Sequence, residues 1–314
     1  MKIELQAQLL PKDCLLIACS SHEARCEGFL SSLEGWRPAH CILFHYDDDN
    51  VEREKRHTKI VSALKDKGVE VQDLVFTERS ALRSLHDNML RLDTLLTEHQ
   101  NNPVVIDISV FTKRHLLMML RWLDDAGYWD RLFVIYSQPD DYDVSEFIPL
   151  SFGLKSFEEI PGFPACPDLS RSVHLVLFLG YEGDRALAAY DCVQPMQTTV
   201  IITEPPFKPE WKGRSEFLNR DLLALLDGRS VLKCDGIDPD GSRRALEQLF
   251  GERDGPNSFA KIICPIGTKP QTLGIYMYLR GAPDPPAVVY ACPLRHNHRF
   301  FSHGVGPSWI LRMP

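Results

Sequence analysis

Short apolar runs alternate along the whole chain with stretches in which apolar residues recur every three or four positions. Runs at 14–19, 41–46, 69–76, 104–110 and 131–136 predict strands, and the periodic stretches at 22–34, 51–67, 80–98 and 113–126 predict helices between them. In the stretch at 80–98, Leu82, Leu85, Met89, Leu92, Leu95 and Leu96 make one apolar face. The second half follows the same plan, with strands at 173–179, 199–203, 230–234, 260–265 and 286–291 and helices at 184–192, 214–227, 240–251 and 270–280. Pro149, Pro161, Pro164 and Pro167 mark a connector between the halves, with room for one extra strand.

Uninterrupted apolar strands separated by helices are what a parallel sheet covered on both faces requires. Each half is therefore predicted to be an α/β, Rossmann-like parallel-sheet domain. The halves also share landmarks. Val104 to Lys113 (VVIDISVFTK) returns as Lys261 to Lys269 (KIICPIGTK), each an apolar run closed by a Thr-Lys pair. Leu15 to Ala18, leading to Arg25, has its counterpart in Leu175 to Phe178, leading to Arg185. Phe133 to Pro139 (FVIYSQP) answers Ala287 to Pro293 (AVVYACP). The order is kept and only a few residues of insertion or deletion intervene, too long a period for a solenoid unit. The expectation is an internal duplication: a first repeat at 1–145, a connector at 146–170 and a second repeat at 171–314, related by a pseudo-two-fold axis like a fused homodimer.

Composition narrows the class. With 44% hydrophobic and 25% charged residues, the chain has material for buried cores and is not read as disordered. No apolar run approaches the length of a membrane span, and residues 1–10 lack a secretion signal, so a cytoplasmic location and no membrane partner are expected. Nine cysteines stand singly without a C-x-x-C pair, which favours reduced core thiols over disulfides or zinc. A net charge of −8 argues against a general grip on duplex DNA, though not against one local basic pocket. No cofactor and no metal are expected.

Chemistry is expected at the loops that follow the first strand and the Thr-Lys strand of each half, because both emerge at the carboxyl edge of a parallel sheet. In the second half, Gly267, Thr268 and Lys269 precede a helix, where backbone N–H groups and the helix dipole receive phosphate. In the first half, Ser109, Phe111, Thr112 and Lys113 keep the hydroxyl and the ammonium, with Phe111 either stacking on a base or packing. A helix N-cap followed by a solvated lysine explains either pair as well. The first-strand loops offer Ser20, Ser21, His22 and Arg25, and Gly180, Tyr181, Glu182 and Arg185. There an arginine either binds phosphate in bidentate fashion or pairs with a neighbouring carboxylate. Asp47-Asp48-Asp49 reads as an acidic turn, and Arg295 to Arg299 with His303 as a surface loop. The signatures G-x-x-x-x-G-K-[ST], G-x-S-x-G, H-E-x-x-H and G-x-G-x-x-G are all missing.

A paired Rossmann-like domain whose loop reads Gly267-Thr268-Lys269 resembles the CRISPR-associated Rossmann fold (CARF) domains and the fused-pair SAVED domains of bacterial antiviral signalling. Thr112-Lys113 matches only the end of that motif, and the two first-strand loops match by position alone. The resemblance implies a pseudo-symmetric sensor that binds a cyclic oligonucleotide, or another phosphate-bearing nucleotide messenger, between its halves. The two repeats take up the length, so an appended effector is not expected and a separate effector protein becomes the implied partner. A ring nuclease or phosphodiesterase cleaving the same ligand, and a non-catalytic scaffold subunit of a defence complex, remain as alternatives.

Overall fold

The computed structural model describes residues 2–47, 49–76, 81–142, 149–163, 171–211, 213–251, 259–297, 302–311 and 313. Asp48, His298 and Arg299, together with parts of the connector, lie outside them. The chain forms two compact units: an N-terminal unit of Lys2–Phe111, Leu123–Asp143 and Ser302–Pro314, and a C-terminal unit of Thr112–Trp122 and Val144–Phe301.

In chain order the strands and α-helices are β1 (Lys2–Glu4), β2 (Leu15–Cys19), β3 (His40–Tyr46), α1 (Val51–Asp66), β4 (Glu70–Phe76), α2 (Ala81–Glu98), β5 (Val104–Asp107), α3 (Lys113–Asp125), β6 (Leu132–Ser137), β7 (Asp141–Tyr142) and β8 (Ser151–Glu159). They continue as β9 (Val173–Phe178), α4 (Gly183–Val193), β10 (Gln197–Thr203), α5 (Arg214–Leu218), α6 (Arg220–Leu223), β11 (Val231–Cys234), α7 (Pro239–Phe250), β12 (Ala260–Pro265), α8 (Lys269–Gly281), β13 (Ala287–His296), β14 (Ser302–His303) and β15 (Ser308–Leu311).

The N-terminal unit holds a seven-stranded sheet in the order β1-β15-β6-β5-β2-β3-β4. Strands β6 to β4 in that order are parallel, whereas β15 runs antiparallel to β6 and β1 antiparallel to β15. All five residues of central β2 are buried, as expected of a strand covered on both faces. The six-stranded sheet of the C-terminal unit runs β11-β10-β9-β12-β13-β8, parallel except for the antiparallel pairing of β8 with β13. Leu175, Leu177, Val200, Ile202, Ile262 and Val289 are core residues there. Both sheets thus hold an interior strand, β2 or β9, next to the strand that leads to a Thr-Lys pair, β5 or β12.

The antiparallel strands exchange between sheets. The chain leaving β6 supplies β8 to the C-terminal unit, and the chain leaving β13 supplies β15 to the N-terminal unit. The connector strand was allowed for by the sequence, but β1, β7, β14 and β15 were not. The basic stretch taken for a surface loop is in part strand: Arg295 and His296 close β13, and His303 belongs to β14.

Local chemistry explains the other departures. The strand predicted to reach 110 stops at Asp107, whose carboxylate accepts the Ser109 N–H at 2.9 Å and turns the chain. The helix predicted over 214–227 breaks at Asn219, whose amide competes with the helix by donating to Ser215 O at 2.7 Å and Gly180 O at 2.9 Å. Residues Ala24–Glu34 wind as a 3₁₀ helix instead of an α-helix. The segment lies so close to β6 that a Cβ on Gly28 would fall 2.0 Å from Ser137 Oγ. The eight described cysteines are free thiols, and burial pushes Cys14 and Cys26 up to about 12. Among the described residues no helix is long and apolar enough to cross a membrane.

Ile310 and Leu311 are 2% and 0% exposed, so the last strand is part of the N-terminal core. Ile310→Ala and Leu311→Ala are each expected to lower stability by about 2–5 kcal/mol. Urea unfolding reads that loss, and hydrogen exchange should show protection lost along Leu132–Ser137, the residues of the strand that β15 pairs.

Candidate functional site

In the C-terminal unit the Gly-Thr-Lys loop is first of all a helix cap. Thr268 Oγ1 accepts the Gln271 N–H at 3.2 Å and Gln271 Oε1 accepts the Thr268 N–H at 2.8 Å, a capping box with Pro270 in the first turn. The Thr268 hydroxyl donates to Gly236 O at 2.6 Å. Gln271, fully buried, donates on to Thr203 Oγ1 at 3.2 Å and to Cys234 Sγ at 3.3 Å, tying the ends of β10 and β11 to α8. Gly267 is glycine because a Cβ there would lie 2.2 Å from Gln271 Oε1. The expected backbone cradle is thus already occupied at Thr268, and half-buried Lys269 is the group of this loop that brings charge.

The other Thr-Lys pair is built alike. Thr112 Oγ1 lies 2.7 Å from His115 Nδ1, and His115 N–H points to the same hydroxyl at 3.4 Å, so histidine stands where the cap of α8 has glutamine. Burial pulls the His115 pKa down to about 3, with a smaller push from Arg114. Lys113 is buried at the start of α3 and belongs to the C-terminal unit.

Both lysines act on one carboxylate. Glu182, in the loop between β9 and α4, is buried and forms an ion pair with Arg185. Burial, the largest effect, would raise its pKa, yet the charges of Arg185, Lys113, His296 and Lys269, in decreasing order, carry it below the ordinary value. The charges of two lysines and an arginine thus act on one buried carboxylate. Arg185 also donates to Ala291 O from Nε at 2.9 Å and Nη2 at 2.6 Å, and lies 5.5 Å from the Tyr290 ring centre. Beside this cluster, Gly180 O accepts from Ser215 Oγ at 3.1 Å and Asn219 Nδ2 at 2.9 Å, and the Arg214 guanidinium stacks 4.7 Å from the centre of the half-buried Tyr181 ring. Arg214, Ser215, Asn219 and His296 were not singled out as ligand-binding residues. His296 carried a signal in the basic stretch around it, whereas the other three fall in an ordinary amphipathic segment.

In the N-terminal unit the corresponding loops turn inward. Arg25 forks onto Glu23, Nε to Oε2 and Nη2 to Oε1, both at 3.0 Å. Ser302 Oγ adds a bond to Glu23 at 2.5 Å. Tyr136 lies beside Arg25 as Tyr290 lies beside Arg185. Ser109 donates its N–H and hydroxyl to Asp107 and accepts the Ser137 N–H at 2.8 Å. Burial raises the Asp107 pKa to about 6, opposed by the Ser109 bonds and the charge of Arg25. Phe111 is fully buried, edge-on to Phe44 and Phe76 with centroids at 5.9 and 6.3 Å. His22 O accepts from Arg56 Nε at 3.1 Å, while Arg56 Nη1 reaches Glu27 at 2.7 Å. Ser21 Oγ lies 3.5 Å from His22 Nδ1, and Ser20 Oγ bonds the His57 ring at 3.0 Å. The predicted site residues therefore fall into two groups: Lys113, Lys269, Glu182 and Arg185 share one cluster of the C-terminal unit, and Ser20, Ser21, His22, Arg25, Ser109 and Phe111 sit in the N-terminal unit.

No family model matches the sequence, and no curated protein matches it. Among solved structures, a Type III CRISPR defence DNA nuclease activated by cyclic oligoadenylate is similar over 88% of this chain and 65% of its own, with 12% identity and a TM-score of 0.52. At that identity the likeness establishes a shared fold, and this chain spans about two thirds of the nuclease's length. The cytoplasmic domain of a prokaryotic cation chloride cotransporter aligns over 92% of this chain and 99% of its own at 11% identity, with a TM-score of 0.27, too low to support an argument.

The buried cap at His115 makes stability depend on pH. The folded state holds the ring neutral down to about 3, so as pH falls below about 6.5 the unfolded chain takes up a proton that the folded chain refuses. Stability present above 6.5 is lost progressively toward 3. His115→Gln, which copies the Thr268–Gln271 cap of α8, should unfold like the wild type at pH 7. At pH 4.5 urea titration should find it ahead by about 2 kcal/mol.

Proposed function

We propose that the chain is a nucleotide sensor of bacterial antiviral signalling that binds a cyclic oligonucleotide, or a related phosphodiester ligand, at the cluster around Glu182. The observation that carries this reading is the meeting of Lys113 and Lys269, one from each Thr-Lys pair, in the field of the same carboxylate. Two ammonium groups introduced from separate helix starts suit a ligand with two phosphates held apart. Helix N-termini add to the attraction. Tyr181, backed by Arg214, supplies an aromatic face for a base, and Gly180 keeps its carbonyl fixed by Ser215 and Asn219.

The tandem-repeat reading, with copies at 1–145 and 171–314, belongs to the same proposal. It is supported by the equivalent strand orders, the reciprocal antiparallel strands and the arginine–glutamate–tyrosine grouping found in both units. The fold shared with a nuclease activated by cyclic oligoadenylate points to that ligand class. Sensing with a separate effector protein is preferred to cleavage, because the polar groups around Glu182 are arranged in ion pairs and caps. A cytoplasmic location accords with such a messenger.

Thermal unfolding against cyclic di-, tri- and tetra-adenylates, with linear oligoadenylates and mononucleotides as controls, tests the proposal. One cyclic species should raise the midpoint, with about 2.7 kcal/mol of stabilisation at a hundredfold excess over Kd. Lys113→Ala and Lys269→Ala should each weaken binding about tenfold or more. The double variant should unfold cooperatively and show no shift. Undiminished affinity in the double variant, or no shift with any cyclic species, would overturn the reading.

A further inference from the structure

A second polar array lies apart from the Glu182 cluster, within the N-terminal unit. Ser20 follows central strand β2 directly, where the chain leaves the carboxyl edge of the parallel sheet. Its Oγ lies 3.0 Å from Nδ1 of His57 on α1, nearer than the second acceptor within its reach, Phe44 O at 3.4 Å, and the other ring nitrogen of His57, Nε2, lies 3.2 Å from Oδ1 of Asp73 on β4. Three residues far apart in sequence thus form a chain in the order hydroxyl, imidazole, carboxylate. The carboxylate can only accept, so Nε2 carries the ring proton and Nδ1 is left to accept from Ser20. Burial lowers the His57 pKa, partly offset by Asp73, and keeps the ring in its neutral, basic form near pH 7. His45 meets the His57 ring edge-on at 4.9 Å and limits its rotation.

We propose that Ser20, His57 and Asp73 form a nucleophilic relay that acts on an uncharged acyl ester, an activity separate from nucleotide sensing and independent of it. The order of groups and the placement of the serine at a strand end supply the requirements of nucleophilic catalysis: a hydroxyl, a base in hydrogen-bond reach and a third group that orients the base. The neighbouring cations decide the class of ester. Arg25 is forked by Glu23, Arg56 and Lys59 both bind Glu27, and Arg53 lies against Glu54 at 3.8 Å. These cations are engaged by carboxylates, which disfavours an anionic phosphodiester. Phe44, whose carbonyl accepts the Ser20 N–H at 2.8 Å, belongs to an apolar cluster with Phe76 and Phe111.

In the reaction, Ser20 Oγ attacks the carbonyl carbon as its proton passes to His57 Nδ1. The tetrahedral adduct breaks its bond to the alcohol oxygen, which leaves with that proton, and the acyl group stays on Ser20. Water then adds to the acyl carbon, giving a proton to His57, and the Ser20 oxygen departs with it to release the carboxylic acid. Ester and water are the only reactants. Ser20 is fully buried, so acylation is expected to be slow compared with that of an exposed activated serine.

The test uses the full chain, a fluorophosphonate probe that traps base-activated serines, and 4-nitrophenyl butyrate as substrate with bis(4-nitrophenyl) phosphate as contrast. Mass spectrometry should place the adduct on the peptide containing Ser20, and butyrate ester should turn over while the phosphodiester does not. Ser20→Ala should abolish both signals. His57→Gln should lower the labelling rate about a hundredfold or more, and Asp73→Asn should lower it less, with unfolding midpoints near that of the wild type. The proposal is overturned if the folded chain carries no adduct on Ser20, if His57→Gln labels at the wild-type rate, or if the phosphodiester is the better substrate. Binding of a cyclic nucleotide to Ser20→Ala would be unchanged, so the two functions stand or fall separately.

Discussion

A carboxylate and a guanidinium buried side by side at the end of the first strand are the constraint around which each unit is built. Taking either charge out of water costs several kcal/mol, and only a close partner with further hydrogen bonds offsets it. In the C-terminal unit Glu182 and Arg185 satisfy one another, and Arg185 also donates twice to Ala291 O on β13. The pair therefore ties the loop after β9 to a strand two positions away in the sheet. In the N-terminal unit Glu23 and Arg25 do the same with the help of Ser302 on β14, so the C-terminal segment is held by electrostatics as well as by the pairing of β15. Removing one member of either pair would leave an uncompensated charge in the core, and the loop geometry would go with it.

The helix caps form the second layer of this construction. Thr112 and Thr268 hold the first turns of α3 and α8, and the lysine that follows each is delivered by a rigid element instead of a free loop. A lysine at such a position gives up less conformational freedom when it meets an anion than one on a mobile surface. Capping and phosphate binding, which look like competing explanations of a Thr-Lys pair, are therefore compatible. The threonine positions the helix, and the lysine carries the charge.

The α/β class was legible because parallel strands covered on both faces write themselves as unbroken apolar runs, as in Leu15–Cys19 and Val173–Phe178. Lys113 and Lys269 stood out in the sequence because the Thr-Lys pair recurs. What the pattern could not carry were pairings between distant segments: β15 joining β6, β8 joining β13, and Asn219 and Ser215 reaching Gly180. Local competition was equally hidden, since the turn after Asp107 depends on one side chain accepting one N–H. His57 and Asp73 read as members of an amphipathic helix and an edge strand, and nothing in their spacing relates them to Ser20.

The two units resemble each other in skeleton and differ in charge, and the difference bears on where an anion goes. Arg25 has a second carboxyl group, Asp107, beside it in addition to Glu23. Beside Arg185 stands the neutral thiol of Cys264, held protonated by burial, and the carboxylate that pairs with Arg185 also feels Lys113, His296 and Lys269. One arginine thus has two carboxyl groups beside it, while the carboxylate paired with the other is also acted on by two lysines and a histidine. In the low dielectric of a buried site that difference is felt strongly. A phosphate approaching the N-terminal cluster would meet carboxyl groups already holding the arginine, whereas at the C-terminal cluster it would meet a single carboxylate on which Lys113 and Lys269 act as well as Arg185.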